Sequence, residues 1–362
     1  MPQAASASAE LAPSRATHRR PSWLTYSGLA AAIAAVFFLE LTLGAVSIAW
    51  RDVLAALTGG EASTEVVRPI VLNFRLPRAL NALVSGAALG TCGLILQTVF
   101  RNPLADPFIL GVVFGARFGV ALLVVITGTA GNALLFKYGV LGDFAMALAS
   151  ALGTVLVLGL LLALSRRVST VTLLVAGLML GYLFTGLISV VMHFVDESQA
   201  RAFTSWSDGS FAGATFQQLQ ILVPLVAVGL VMAWLQVKPL NSLLLGESYA
   251  QSLGLSVQRT RQLTFLVLAV LVGTVTAFCG PVAFIGIVTA HLCRLLFRTA
   301  DHSVLMPAVM LMGALFALSA DLITHLPWSR HFLHMNAVNG LIGAPIVLWA
   351  LLDRRHARSL EL

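Results

Sequence analysis

The amino-acid sequence predicts an all-α polytopic membrane protein with about ten transmembrane helices, and three observations carry that prediction. Hydrophobic residues make up 58% of the chain and charged residues 10%, for a mean hydropathy of +0.92. A surface so poor in charge cannot keep 362 residues in water. Apolar runs of about 20 residues recur along the chain, the length needed to cross roughly 30 Å of hydrocarbon. The basic residues stand at the ends of these runs rather than along one face, so the net charge of +7 speaks of membrane orientation and not of a nucleic-acid partner.

In chain order, residues 1–22 are rich in Ala and Ser, carry Arg15, Arg19 and Arg20, and read as a disordered cytoplasmic tail. The apolar run from Trp23 to about Trp50 exceeds the roughly 7–15 residues of a signal-peptide core and holds no clear A-x-A site, so it reads as a retained helix. Spans are expected near 24–46, 79–100, 108–127, 141–164, 171–195, 217–236, 262–280, 283–297, 304–325 and 337–352. With that even number, the N-terminus, Arg101, Arg166 and Arg167, Lys238 with Arg259 and Arg261, Arg298, and Arg354, Arg355 and Arg358 share one side, which the bias of Lys and Arg makes the cytoplasm. Both termini then lie in the cytoplasm. Residues 23–355 read as a single permease-like domain, with 356–362 as a short cytoplasmic tail.

The stretch Arg75–Gly119 organises the rest. Gly86 and Gly90 in its first run, and Gly111, Gly115 and Gly119 in its second, have the small-xxx-small spacing that lets helices approach where lipid offers no hydrophobic drive to association. Between the runs, RNPLADP places Pro103 and Pro107, which push Asn102 and Asp106 away from helix. Cys92, Cys279 and Cys293 all fall in expected spans, far apart, and read as small core residues without a disulfide. Glu40 is an acid inside the first span, either a functional group or an acid set against a neighbouring helix or the outer interface.

The order RLPR, GAAL, Q-x-x-F-R-N-P-L-A-D-P and LGV-x-x-GA resembles the FecCD-type permeases of ABC importers, which take up iron-siderophore complexes, haem and cobalamin. Further blocks support the resemblance: L-x-LGE-x-x-A-x-x-LG in 238–262, FIG-x-x-x-x-H-x-x-R…DH in 280–302, and the final NAVNGLIGAPIVLWALLDRR. It implies the type II ABC importer permease architecture. It also implies partners: an ATP-binding cassette ATPase subunit, a periplasmic substrate-binding protein and a second permease copy, identical or not, all assembled about the lipid bilayer of the inner membrane. A ferric siderophore is the commonest cargo of such permeases, with haem and cobalamin open.

The resemblance also implies roles. Arg75 and Arg78 of RLPR, on the outer side with Arg51 and Arg68, would dock glutamates of the binding protein, or else anchor the interface. A third docking arginine of the family falls where this chain has His325, with Arg330 as a substitute. Asn102, Pro103 and Leu104, with Ser169 and Thr170, would form the cytoplasmic gate, or be plain turns. Residues 238–262, expected as two short helices broken at Gly254, would couple to the ATPase through Leu245, Gly246, Glu247, Ala250, Leu253 and Gly254, the alternative being an amphipathic segment on the membrane surface. His291, Arg294 and His302 are expected at an inner helix end, meeting carbonyls and lipid phosphate.

No GxxxxGK[ST] stretch is present, so ATP must be hydrolysed elsewhere. No nucleophile with a base and no paired carboxylates emerge, since Asp143, Asp196, Glu197, Asp208 and Asp301 are expected in loops and Asp321 near an outer helix end. The irregular cluster of His325, His331 and His334 lacks the companions of a metal site. The protein is thus expected to be a transport subunit without cofactor or enzymatic activity. A secondary transporter working through Glu40 is the alternative.

Overall fold

The computed structural model describes residues 23–352 except 45, 62, 109, 139, 165, 166, 169 and 326–332. Both expected tails, 1–22 and 356–362, therefore lie outside the described residues. Within them the regular elements are all helical: α1 (Trp23–Thr42), α2 (Trp50–Thr58), α3 (Val67–Ile70), a π-turn (Val71–Arg75), α4 (Leu76–Val99), α5 (Val112–Tyr138), α6 (Val140–Leu164), α7 (Thr170–Met192), α8 (Glu197–Ser207), α9 (Phe216–Leu235), α10 (Val237–Leu244), α11 (Glu247–Ser252), α12 (Val257–Cys279), α13 (Ile285–Phe297), α14 (His302–His325) and α15 (Met335–Leu352). Among the described residues, seven stretches are long and apolar enough to cross a membrane, and three shorter apolar helices, Val112–Ile126, Ile285–Phe297 and Met335–Trp349, fall where the other three spans are expected.

Helix α4 is the axis of the bundle. It packs against α14, α13, α12 and α9, and its side chains from Ser85 to Val99 are all buried. Its sequence explains this, because glycine, alanine, serine and threonine present so little bulk that neighbours close on its backbone. A Cβ on Gly86 would stand 2.2 Å from the Gly313 carbonyl oxygen of α14, and one on Gly93 would stand 2.3 Å from the Gly286 oxygen of α13. The second glycine series works in the same way, with Gly115 of α5 against Gly153 of α6.

The second span differs from expectation. It begins at Val67, not near 79, and runs to Val99 as 33 continuous helical residues, so Arg75 and Arg78 sit on a helix and not in a loop. Pro77 lacks the N–H that would close on the carbonyl four residues back. The chain answers with the π-turn, in which the Leu76 N–H reaches the Val71 oxygen five residues back. Arginines in this helix read as loop charges from sequence because their partners lie in other helices.

Other boundaries shift for local reasons. The span expected at 108–127 starts at Val112, since Asp106 and the prolines hold the corner non-helical. Asp143 and Glu197, expected in loops, open α6 and α8, where an acid suits the N-terminal dipole. In the segment 238–262 the helix break falls at Gly246 (φ +110°), Gly254 (φ +84°) ends the second short helix, and 257–262 are already the first turns of α12.

The break between α12 and α13 leaves irregular backbone inside the bundle, which is tolerated at membrane depth only when its polar groups are satisfied by protein. Asn336 at the start of α15 does this. Its amide donates to the carbonyls of Pro281 (2.8 Å) and Asp208 (3.0 Å), and its oxygen accepts the Ala283 N–H (3.0 Å). Asn339 donates to the Ala283 carbonyl at 3.1 Å. Asn336→Ala should therefore lower stability by about 2–4 kcal/mol, through orphaned backbone groups. Thermal unfolding in detergent checks this, and an unchanged midpoint would refute the role.

Candidate functional site

Three groups of side chains bear most directly on function, one at each end of the bundle and one between them. At the end where α1 finishes, Arg78 of α4 meets Asp321 of α14 in a bidentate pair, with Nε to Oδ2 at 2.6 Å and Nη2 to Oδ1 at 2.8 Å. Thr324 accepts from Nη2 at 3.0 Å, and Glu40 of α1 stands 3.8 Å from Nε. Asp321 and Glu40 are buried, and the Arg78 side chain is 18% exposed. Arg75 donates to the carbonyls of Leu41 and Val46, closing the C-terminal end of α1. Glu40 is thus set against neighbouring helices, with neither oxygen hydrogen-bonded.

Glu40, Asp321 and His325 bring ligand-type atoms within 4.8 Å of one another. The donor set does not suit a cation, because the Arg78 guanidinium already occupies both Asp321 oxygens. His325 is buried and contacts the Asp321 carbonyl, whereas His334 is exposed beside Asp208 (3.6 Å) and His331 lies outside the described residues. Arg330, the substitute docking residue, also lies outside them.

At the opposite end, the corner Asn102–Leu104 closes as an Asx turn, with the Asn102 side chain accepting the Leu104 N–H at 2.8 Å. Asp106 is buried behind it and accepts the N–H groups of Phe108 and Ile287. Burial pushes its carboxyl up to about 6 against those two hydrogen bonds. Of the second gate corner, Ser169 lies outside the described residues and Thr170 opens α7.

The short helices α10 and α11 are fastened to this end of the bundle. Asn241 of α10 accepts from the His302 N–H (2.8 Å), contacts the His302 ring (2.8 Å) and donates to Asp301 (2.6 Å). His302 in turn bonds Thr98 at the end of α4 (2.8 Å). For Asp301, burial is outweighed by hydrogen bonds from Ser303 and Asn241, which hold the carboxyl below its usual range. Arg101, next to the Asn102 corner, donates to the Leu243 carbonyl at 3.4 Å. Ala250 is buried, while Leu245 (64% exposed), Tyr249 and Leu253 face outward. Glu247, half exposed, pairs with Arg261 at 2.5 Å. His291 meets a carbonyl, that of Ile287, as expected, while Arg294 and His302 turn inward to Gln97 and Asn241.

The third group, overlooked in the sequence, is Arg117 in α5. An arginine inside an apolar run is the signal that marks it. Its guanidinium lies over the Phe114 ring (5.7 Å), and its Nε is buried without an acceptor. The cysteines are buried free thiols, as expected.

A bundle of seven long apolar helices and three shorter ones, with a broken helix at its core and an outward-facing helical hairpin at one end, is the architecture of a polytopic membrane protein. Residues 32–353 match the FecCD transport family, and the chain belongs to it. It is 38% identical over 286 residues to the vitamin B12 import system permease protein BtuC of Klebsiella pneumoniae, covering 79% of this chain and 83% of that one. The BtuC of Salmonella typhi is 37% identical over 283 residues, covering 78% and 83%. A solved metal-chelate type ABC transporter in an inward-facing conformation superimposes with a TM-score of 0.75 at 27% identity, over 92% of this chain and 99% of that one. The protein is accordingly an ABC importer permease of the multi-pass inner-membrane kind.

Proposed function

We propose that this permease moves a large metal chelate from periplasm to cytoplasm by alternating access driven by a partner ATPase, and that the first cargo to test is a corrinoid of the vitamin B12 type. The likeness to vitamin B12 permeases favours the corrinoid over the ferric siderophore that the family resemblance alone suggested. Residues 23–355 would act as one permease domain, with both termini in the cytoplasm, paired with a second copy. The observation that carries the mechanism is the α10–α11 hairpin: its inner face is tied through Asn241 and His302 to α14 and α4, while Leu245, Tyr249 and Leu253 stand free for an ATPase groove. Movement of the hairpin would reach the Asn102–Pro103–Leu104 corner through Arg101, and act with Ser169 and Thr170 to open the gate.

Docking of a binding protein belongs to the Arg78 end. Arg51 and Arg68 are exposed there, and Arg78 would join only where a partner carboxylate shares or replaces Asp321. Arg75 and Arg330 complete this reading.

Glu247→Arg should break the pair with Arg261 and repel it, so that the detergent-solubilised protein, co-expressed with its ATPase, loses that subunit while the wild type runs as two permeases with two ATPases. Native mass spectrometry reads the result. A mutant that keeps its ATPase would remove the coupling role of α11.

A further inference from the structure

We propose that Arg117 recognises an anionic group of the cargo, a phosphodiester or a carboxylate, at the mid-depth of the translocation pathway; this rests on the importer reading above. The depth follows from packing. Gly115 meets Gly153 and Gly119 meets Ala149, both near the middle of the 25-residue α6, so residue 117 stands close to the centre of the bundle. A charge at that depth faces the interior or a water-filled cavity.

Among the described residues Arg117 has no hydrogen-bond acceptor and no carboxylate within ion-pair distance. It has only the ring face of Phe114, and its Nε is enclosed and unsatisfied. The carboxylate whose charge reaches it is Asp208, in the segment that crosses the α12–α13 break, and Asp208 is half exposed beside His334 at the entrance of α15. Ser207, next to Asp208, also has a buried hydroxyl without a partner. The seam between α5 and α8 thus offers buried donors without partners, beside a guanidinium that the half-exposed Asp208 reaches by charge without contact. An acceptor-rich anionic group is the chemistry that satisfies it.

The test uses the permease with its ATPase and binding protein in proteoliposomes, comparing wild type with Arg117→Gln and Arg117→Lys. Three probes separate the sources of the anion: cyanocobalamin, which carries a phosphodiester; dicyanocobinamide, the same ring without it; and ferric dicitrate, which carries carboxylates. Arg117→Gln should slow ATP-dependent uptake of the anion-bearing probe that the wild type imports by about tenfold, the effect of one lost charge-assisted contact. Arg117→Lys should recover part of that rate, and dicyanocobinamide uptake should be unchanged. Equal slowing of all imported probes with no recovery by lysine, unchanged uptake of the anionic probe, or wild-type import of dicyanocobinamide alone would overturn the assignment while leaving the importer standing. A wild type that imports none of the three overturns the chelate-importer reading, and the assignment with it.

Discussion

Arg78→Ala should be the most damaging single substitution of a charged side chain in this protein, costing on the order of 3–5 kcal/mol of stability, because it strands the buried Asp321 carboxylate, beside the Glu40 carboxyl, without its cation. Removing the acid instead should cost less. In Asp321→Ala the guanidinium still has Glu40 at 3.8 Å, which need move only about an ångström to hydrogen-bond. The double variant Arg78→Ala/Asp321→Ala should recover part of the loss, since most of the penalty lies in the unpaired charge and not in the pair's net worth. Glu40→Gln, which keeps the shape of the side chain and leaves the Arg78–Asp321 pair whole, should leave both stability and ATP-driven uptake near wild type. Fluorescence-detected size exclusion after a heating series ranks the four variants. A melting temperature for Arg78→Ala equal to that of the wild type would show that the triad contributes nothing, and loss of uptake in Glu40→Gln would revive ion coupling through that acid.

Gly86→Leu is expected to be equally severe for a different reason. Its Cβ would lie 2.2 Å from the Gly313 carbonyl oxygen and 2.6 Å from the Ala317 Cβ, so α14 must be pushed off the central helix. Overpacking typically costs about 1–3 kcal/mol, and backbone against backbone belongs at or above the top of that range because no rotamer change relieves it. Gly159→Leu and Gly28→Leu are the controls, since a Cβ at either meets nothing within 4 Å. Yield and monodispersity should collapse for Gly86→Leu and hold for the controls. Equal behaviour of all three would mean that the α4–α14 crossing is looser than its geometry indicates.

These two cases separate what is legible along the chain from what is not. The spacing of Gly86 and Gly90, and of Gly111, Gly115 and Gly119, marks close helix crossings by residue size alone, and α14 meets the first pair while α7 meets Gly111 and α6 meets Gly115 and Gly119. The hairpin of 238–262 was likewise legible in its outward leucines, though not in its break at Gly246, because either glycine of the segment could serve as the stop and both take a positive φ. Arg75 and Arg78 were legible as arginines suited to the carboxylates of a binding protein or to anchoring the interface, but their partners within the chain were not. Asp321 is 243 residues away from Arg78, and no local pattern points to it.

The sequence by itself determined the class of this protein, the places of its apolar helices, the absence of an ATP-binding loop and the family to which it belongs. Each of these depends on the length of apolar runs or on the spelling of short motifs, which are local properties. Only the tertiary structure decided where the buried charges go: Arg78 to Asp321, Arg75 to the end of α1, Asn336 to the broken backbone between α12 and α13, and Arg117 to no protein acceptor among the described residues. The physical reason is that a polar group in a low-dielectric interior must find its partner wherever the packing of helices brings one. That packing joins residues too far apart in the chain for any periodicity to connect.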